Sequence, residues 1–168
     1  ESLERFQVIF TQANEKKIPV RGYVSCIVEC PYEGKVSPGK VLKVASRLLD
    51  MGCYEVSLGD TIGKGTPNTI EELLKVLCSE LDQDKLAGHF HDTSDTAIRN
   101  VEMGLKYGMK TFDSAIGGLG GCPYAPGAKG NLDTHSLIKA FGIKSFSESI
   151  DLDKIKFAEK YLDKTILC

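Results

Sequence analysis

Helix-like and strand-like segments alternate along this chain, and this alternation limits the fold more than any other feature. Strand-like runs start near residues 20, 54, 86 and 111, so successive starts lie 34, 32 and 25 residues apart. This is the spacing of βα units, in which a helix connects two parallel strands. Two α/β folds use such units: an open doubly wound sheet, or half of a (β/α)8 barrel, because a whole barrel needs about 250 residues and this chain has 168.

Hydrophobic periodicity and turn residues place the individual elements. Strands are predicted over 20–28, 54–58, 85–91 and 111–116, each followed by a helix or a loop. Helices are predicted from residue 3 to near 16, from 38 to the turn at Gly52, over 68–81 and over 93–107, with two more near 134–141 and 151–162. Ser37-Pro38 and Thr66-Pro67 each predict an N-cap followed by proline in the first turn.

Charge and hydropathy exclude several classes of partner. The formal net charge is -2, with 21 basic and 23 acidic residues, and this balance argues against nucleic acid as the main partner. No apolar run approaches the roughly 20 residues that span a bilayer, so no membrane partner is expected. The first residues show no secretory signal pattern, which favours a reducing compartment and a cytoplasmic location.

The segment His89-Phe90-His91-Asp92-Thr93 is the most informative short motif. Alternate residues of a strand point to the same face, so the two imidazoles are expected to project together and could hold one divalent metal. The alternative is that they form ordinary hydrogen bonds in a polar core. Asp92 either orients one imidazole or, with Thr93, caps the following helix.

A glycine-rich segment, 117–130, follows the last predicted strand. Its bare N–H groups could approach anionic oxygens, and it contains Cys122, which lies on no apolar periodic face. We interpret the segment as a lid with a reactive thiol; the alternative is a flexible surface loop. Asn131, just after it, could bind a metal or cap the next helix.

Two further positions carry candidate chemistry. Asp60 ends the second predicted strand and could act as a general base or support a metal ligand, or it could be a simple turn residue. Cys26 and Cys30 form a C-x-x-x-C pair at the end of the first predicted strand. A second pair that would complete a zinc site is lacking, so reduced thiols with a supporting role are expected.

Several segments together resemble hydroxymethylglutaryl-CoA lyases: 21–26, 30–34, Ser57-Leu58-Gly59-Asp60-Thr61, His89-Phe90-His91-Asp92-Thr93 and Gly118-Leu119-Gly120-Gly121-Cys122-Pro123-Tyr124-Ala125. The glycine–cysteine segment is the specific one. The His-x-His-Asp motif also occurs in related barrels such as isopropylmalate synthases, which leaves a condensing synthase or an aldolase as an alternative. A non-catalytic half-barrel that pairs with itself is a further alternative.

The resemblance implies a TIM barrel that uses Mg²⁺ or Mn²⁺ to cleave the acyl-CoA substrate 3-hydroxy-3-methylglutaryl-CoA into acetyl-CoA and acetoacetate. It implies His89, His91 and Asn131 as metal ligands, with Cys122, Asp60 and His89 as catalytic groups. It further implies substrate contacts at Thr61, Gly120 and Gly121. A location in the cytoplasm or the mitochondrial matrix would fit.

The resemblance also implies that this chain is the C-terminal half of a barrel, residues 1–168 forming one partial domain with barrel strands five to eight. The Arg-Asp pair of the family's first strand, whose aspartate is a metal ligand, has no counterpart here. We therefore expect a homodimer or pairing with the missing half, and little activity from this chain alone. His135 stands where the family has an acid and is expected on a helix surface.

Overall fold

The computed structural model describes residues 2–121, 130–146 and 150–165. Strand β1 (Val20–Val24) is followed by a short antiparallel hairpin of β2 (Glu29–Cys30) and β3 (Gly34–Lys35). The main sheet continues with β4 (Cys53–Asp60), β5 (Leu86–Phe90) and β6 (Thr111–Phe112). The described helices are α1 (Ser2–Glu15), α2 (Pro38–Asp50), α3 (Pro67–Leu77), α4 (Ala97–Lys106), α5 (Thr134–Phe141) and α6 (Leu152–Thr165).

The order of the strands decides between the two folds that the sequence allowed. The main sheet has the order β1-β4-β5-β6, and every pair in it is parallel. A doubly wound sheet reverses its strand order at a switch point, whereas a barrel adds each new strand beside the previous one. The sheet is therefore an arc of a TIM barrel, which confirms the predicted half-barrel.

The helices α2, α3 and α4 cover one face of the sheet. Val56 and Leu58 of β4 and Leu73 and Leu74 of α3 belong to one hydrophobic cluster there, and all four side chains are almost fully buried. The residues next to Val56 on β4, Glu55 and Ser57, point to the opposite, inner face because side chains alternate along a strand. That inner face is polar.

Four predicted boundaries were wrong in instructive ways. The first strand ends at Val24 rather than 28, because Cys26 has a φ of +58° and the N–H of Ile27 turns to the carbonyl of Gly59. The helix predicted from 93 begins at Ala97, after a turn over 92–96. The last strand contains Thr111–Phe112 alone, and α3 ends at Leu77.

The helix ends mostly follow the turn residues. Thr66 forms a reciprocal capping box with Thr69, whereas Ser37 occupies the N-cap of α2 without a side-chain hydrogen bond. Gly52 and Gly108, which follow α2 and α4, have φ values of +108° and +85°, a region that favours glycine. None of the described helices is long and apolar enough to cross a membrane.

Candidate active site

The two histidines of the motif lie together at the carboxyl end of β5. Their ring centroids are 5.2 Å apart, with 56° between the ring planes. His89 pairs with Gly59 in the sheet, and His91, one residue beyond the strand, forms a bridge with Asn131. The predicted projection of both rings to one side is thus confirmed.

His91 is the more buried of the two and has the more unusual environment. Burial first, and then the neighbouring His89, lower the pKa of its imidazole below the ordinary value of 6.5. Its ring hydrogen-bonds to the side chain of Asn131 and to the backbone of Thr61. Its Nδ1 atom is buried without a hydrogen-bond partner among the described residues, which is unusual for a buried nitrogen unless it receives a ligand.

Asp113 organises the inner face beside His89, and sequence reasoning missed it. Its carboxylate accepts hydrogen bonds from Ser57 (2.9 Å) and Arg21 (3.1 Å) and lies 3.2 Å from Nδ1 of His89. Burial alone would raise the pKa of Asp113, but the bonds from His89 and Ser57 and the charge of Arg21 hold it below the ordinary value of 3.8. It was missed because 111–116 was interpreted as a strand, although Asp113 directly follows β6, where parallel barrels place functional groups.

Arg21 connects this carboxylate to the neighbouring strands. Its Nε donates to Glu55, and its guanidinium also contacts Asp113 and the Tyr23 hydroxyl. Tyr23 in turn lies edge-on to His89, with ring centroids 6.0 Å apart. The inner face thus carries a connected polar network that fixes one face of the His89 ring.

Asp60 is not brought together with the histidines. It shares the outer face of β4 with Val56 and Leu58, is fully buried, and accepts hydrogen bonds from the backbone N–H groups of Lys64 (3.1 Å) and Gly65 (2.7 Å). Burial raises the pKa of Asp60 above the ordinary value of 3.8. The carboxylate therefore shapes the loop after β4 and does not face the candidate site.

The loop after β4 is also bound to the turn after β5. Thr96 and Asn100 both donate to the carbonyl of Gly65, at 2.7 and 3.0 Å, and Ser94 donates to the carbonyl of Gly63. The carboxylate of Asp92 accepts from the N–H of Ala97. Of the two roles left open for Asp92, the structure shows a bond to the start of α4: the carboxylate accepts the N–H of the first helical residue, while the N-cap residue itself is Thr96 rather than Asp92 or Thr93.

Asn131 directly follows the glycine segment, and its backbone bridge with His91 holds it beside the two histidines. Its Nδ2 donates to the carbonyl of Leu119 at 2.9 Å, and its N–H donates to the carbonyl of Gly120. The N-cap of α5 is Asp133, not Asn131, so the capping alternative for Asn131 was wrong. An open cleft of about 440 Å³ borders Asn131, Gly118 and Gly130.

Of the remaining candidate residues, all but Cys122 lie in the described part of the chain. Thr61 lies next to His91 and accepts the N–H of Cys26 at 2.9 Å. Gly120 has a φ of +100° and packs on the amide of Asn131, and Gly121 has open space around it. Cys122 lies outside the described residues. His135 is on the surface of α5, as expected, and pairs with Glu159 of α6.

Within the described residues, no cluster of three or more His, Cys, Asp or Glu side chains could hold a metal ion. The donors that do converge are two imidazoles and the amide of Asn131. These positions define the class of the site: a paired-histidine centre at the strand ends of a parallel βα half-barrel.

The comparisons with known proteins agree with this class. The sequence model of the HMGL-like family matches residues 2–161, and the chain belongs to this family. Enzymes of the family are metal-dependent. The chain is 50% identical over 155 residues to hydroxymethylglutaryl-CoA lyase of Pseudomonas mevalonii, an alignment that covers 92% of this chain and 52% of that protein. It is 47% identical to the mitochondrial lyase of Arabidopsis thaliana, over 98% of this chain and 35% of the relative.

Solved structures show the same relationship. The HMG-CoA lyase of Brucella melitensis superposes with a TM-score of 0.94 at 42% identity, over 99% of this chain and 59% of that one. A lyase from Acinetobacter baumannii, solved with coenzyme A and 3-methylmalate, has a TM-score of 0.83 at 33% identity, over 95% and 52% of the two chains. The carboxyl transferase domain of Rhizobium etli pyruvate carboxylase shares the fold alone, at 19% identity.

This chain spans about half the length, or less, of the curated relatives that it matches. Some of these relatives are described as cytoplasmic and others as mitochondrial, and both agree with the locations expected from the sequence.

Proposed function

We propose that this chain forms the C-terminal half of a hydroxymethylglutaryl-CoA lyase barrel and contributes most of the metal site that cleaves the acyl-CoA substrate into acetyl-CoA and acetoacetate. The observation that carries the proposal is the convergence of His89, His91 and Asn131 at the strand ends. The 50% identity to a hydroxymethylglutaryl-CoA lyase over 155 aligned residues supports it.

The donor set fits a divalent metal. His91 has a buried nitrogen without a partner among the described residues, and Asp113 occupies Nδ1 of His89, which leaves Nε2 of that ring for a ligand. Asn131 adds a hard amide oxygen, a donor type that Mg²⁺ and Mn²⁺ accept. When bound, such a metal acts as a Lewis acid that acidifies the substrate hydroxyl.

The chain's own residues orient these donors. Asp113 holds the tautomer and the orientation of the His89 ring, and the bond from Asn131 to the carbonyl of Leu119 turns the amide oxygen away from the glycine segment. Thr61 lies next to His91, and this position supports a role for it in substrate contact. Gly120 lies next to the Asn131 amide and Gly121 has open space around it, and bare glycine N–H groups at these positions would let substrate oxygens approach the backbone closely.

The position of Asp60 changes the assignment of the general base. Its carboxylate is enclosed by Lys64 and Gly65 on the outer face, and an imidazole of His89 that holds a metal has no nitrogen left to accept a proton. Neither of the two groups expected to take the hydroxyl proton, Asp60 and His89, is then free to do so in this arrangement. Cys122 is proposed to deliver a proton to the carbon of the acetyl-CoA enolate.

A second half-barrel would complete the site. In the described part of the chain β1 is an edge strand of the main sheet, and it borders an apolar cleft of about 280 Å³ lined by Phe6, Ile9 and Phe10 of α1 and by Leu48. Phe6 and Ile9 are 41% and 54% exposed, and exposed apolar residues beside an unpaired strand edge are what a further βα unit would cover. The partner is either the N-terminal half or a second copy of the chain.

The experiment is complementation. The purified chain is assayed for acetoacetate release from 3-hydroxy-3-methylglutaryl-CoA with Mg²⁺ or Mn²⁺, alone and after refolding with the N-terminal half of the Pseudomonas mevalonii lyase. We expect little or no turnover alone and metal-dependent turnover in the mixture.

The matched variants are His89→Ala and His91→Ala, which should abolish turnover, and His135→Ala, which changes the surface histidine and should retain it. Turnover that survives loss of both motif histidines would refute the proposed site. An assembled barrel that binds acetyl-CoA but does not cleave the substrate would refute the lyase assignment.

A further inference from the structure

The thiols of Cys26 and Cys30 are neighbours in space as well as in sequence. Cys26 follows β1 with a φ of +58°, in the left-handed region that residues other than glycine seldom adopt. This bend turns the chain toward the β2–β3 hairpin, and the two side chains hydrogen-bond to each other. Both residues are partly exposed, in contrast to the buried Cys53.

The hairpin surrounds the Cys30 sulfur with donors. The backbone N–H groups of Tyr32 and Glu33 both point to it, followed by the Cys26 thiol, and these bonds hold the pKa of Cys30 below its ordinary value. The pKa values of Cys53 and Cys78 are instead raised by burial. A thiolate is the nucleophile in disulfide exchange, so Cys30 is the reactive member of the pair.

We propose that Cys26 and Cys30 form a reversible redox site that low-molecular-weight disulfides such as oxidised glutathione convert into an intrachain disulfide. The Cys30 thiolate attacks one sulfur of glutathione disulfide, which forms a mixed disulfide and releases one glutathione thiolate. Cys26 then loses its proton and attacks the Cys30 sulfur, which releases the second glutathione. The net reaction converts two protein thiols and one glutathione disulfide into one protein disulfide and two glutathiones.

One hydrogen bond links the cysteine pair to the candidate active site. The N–H of Cys26 donates to the Thr61 hydroxyl at 2.9 Å, and the Thr61 backbone contacts His91. The Cys26 backbone is therefore bonded to a residue that contacts His91. The proposed chemistry does not depend on lyase activity, so its test and the test of the proposed function fail separately.

The test uses the purified chain in mixtures of reduced and oxidised glutathione, followed by acid trapping, alkylation and tryptic digestion. Trypsin cleaves after Arg21 and after Lys35, and no lysine or arginine lies between these two positions. Both cysteines therefore fall in a single tryptic peptide, residues 22–35. We expect this peptide to become unalkylated and two hydrogens lighter as the oxidant increases, and to return to the dialkylated form with dithiothreitol.

The variants separate the two roles. Cys26→Ser should accumulate a glutathione adduct on Cys30, Cys30→Ser should leave Cys26 reduced, and Cys53→Ser should oxidise like the wild type. A wild-type peptide that stays dialkylated while other cysteines oxidise would overturn the proposal. So would a bridge from either residue to a third cysteine, which appears as two linked peptides.

Discussion

The Nδ1 atom of His89 lies 3.2 Å from the Oδ2 atom of Asp113, a contact that joins the end of β5 to the residue directly after β6. The same carboxylate is held by Ser57 and Arg21 from two further strands. The His89 ring therefore cannot turn without disturbing a network that spans the described sheet. Such carboxylate–imidazole pairs fix the orientation of metal-binding histidines.

Replacing this carboxylate tests the pair directly. Asp113→Asn keeps the shape of the side chain but removes its charge, and we expect Mn²⁺ affinity to fall about 10- to 100-fold. The measurement is a Mn²⁺ titration followed by electron paramagnetic resonance. Asp84→Asn is the control, because Asp84 pairs with Lys110 on the surface and is half exposed. Equal affinities for the Asp113 variant and the wild type would remove Asp113 from the site.

A second prediction concerns the buried carboxylate of Asp60. Asp60→Ala leaves the N–H groups of Lys64 and Gly65 without their acceptor, and each buried donor left unpaired costs about 1–3 kcal/mol. We expect the free energy of unfolding in urea to fall by roughly 2–4 kcal/mol. Asp50→Ala, at an exposed helix end, should change it by less than about 0.5 kcal/mol. A small change at Asp60 would return this residue to the list of candidate catalytic groups.

The raised pKa of Asp60 also predicts a pH dependence. The carboxyl of Asp60 has a higher pKa in the folded chain than in the unfolded chain, where the pKa is the ordinary 3.8. The protonated carboxyl therefore stabilises the folded chain, and this contribution is fully present below pH 3.8. It is lost as the pH rises through the folded-state pKa. As the pH rises above about 4, the free energy of unfolding should therefore decrease more steeply in the wild type than in Asp60→Asn. Parallel curves would show that burial does not shift this carboxyl.

The sequence predicted the structure correctly where a single repeating pattern determines it. Alternation along a strand placed His89 and His91 on one side, and the 25- to 34-residue spacing of strand starts predicted parallel βα units. Strand order was not contained in that spacing, because a doubly wound sheet and a barrel arc are built from the same units. The resemblance to lyases supplied the distinction, and the observed order confirms it.

Two carboxylates show what the sequence did not contain. Asp60 shares the face of Val56 and Leu58 by alternation along β4, whereas Asp113 follows Phe112 and takes the inner face beside His89. Alternation relates the residues of one strand to each other but does not say which face the helices cover. β6 ends four residues earlier than predicted, so Asp113 was interpreted as one residue of a longer strand and its place at the strand end was not recognised.

The close packing of the two ends of the glycine segment gives the last prediction. A Cβ built on Gly130 would overlap the carbonyl oxygen of Gly120, and that carbonyl also accepts the N–H of Asn131. Gly130→Ala must therefore separate the two backbones and displace Asn131. We expect stability to fall by about 1–3 kcal/mol and Mn²⁺ affinity to fall with it.

Gly39→Ala is the matched control, because a Cβ on Gly39 meets nothing within 4 Å and alanine favours the helix in the first turn of α2. This variant should be as stable as the wild type or slightly more stable, with unchanged Mn²⁺ affinity. If Gly130→Ala lost stability but bound Mn²⁺ normally, the backbone of the segment would matter for folding while Asn131 would not be a metal ligand. Normal values for both quantities would show that the backbones at Gly120 and Gly130 separate readily.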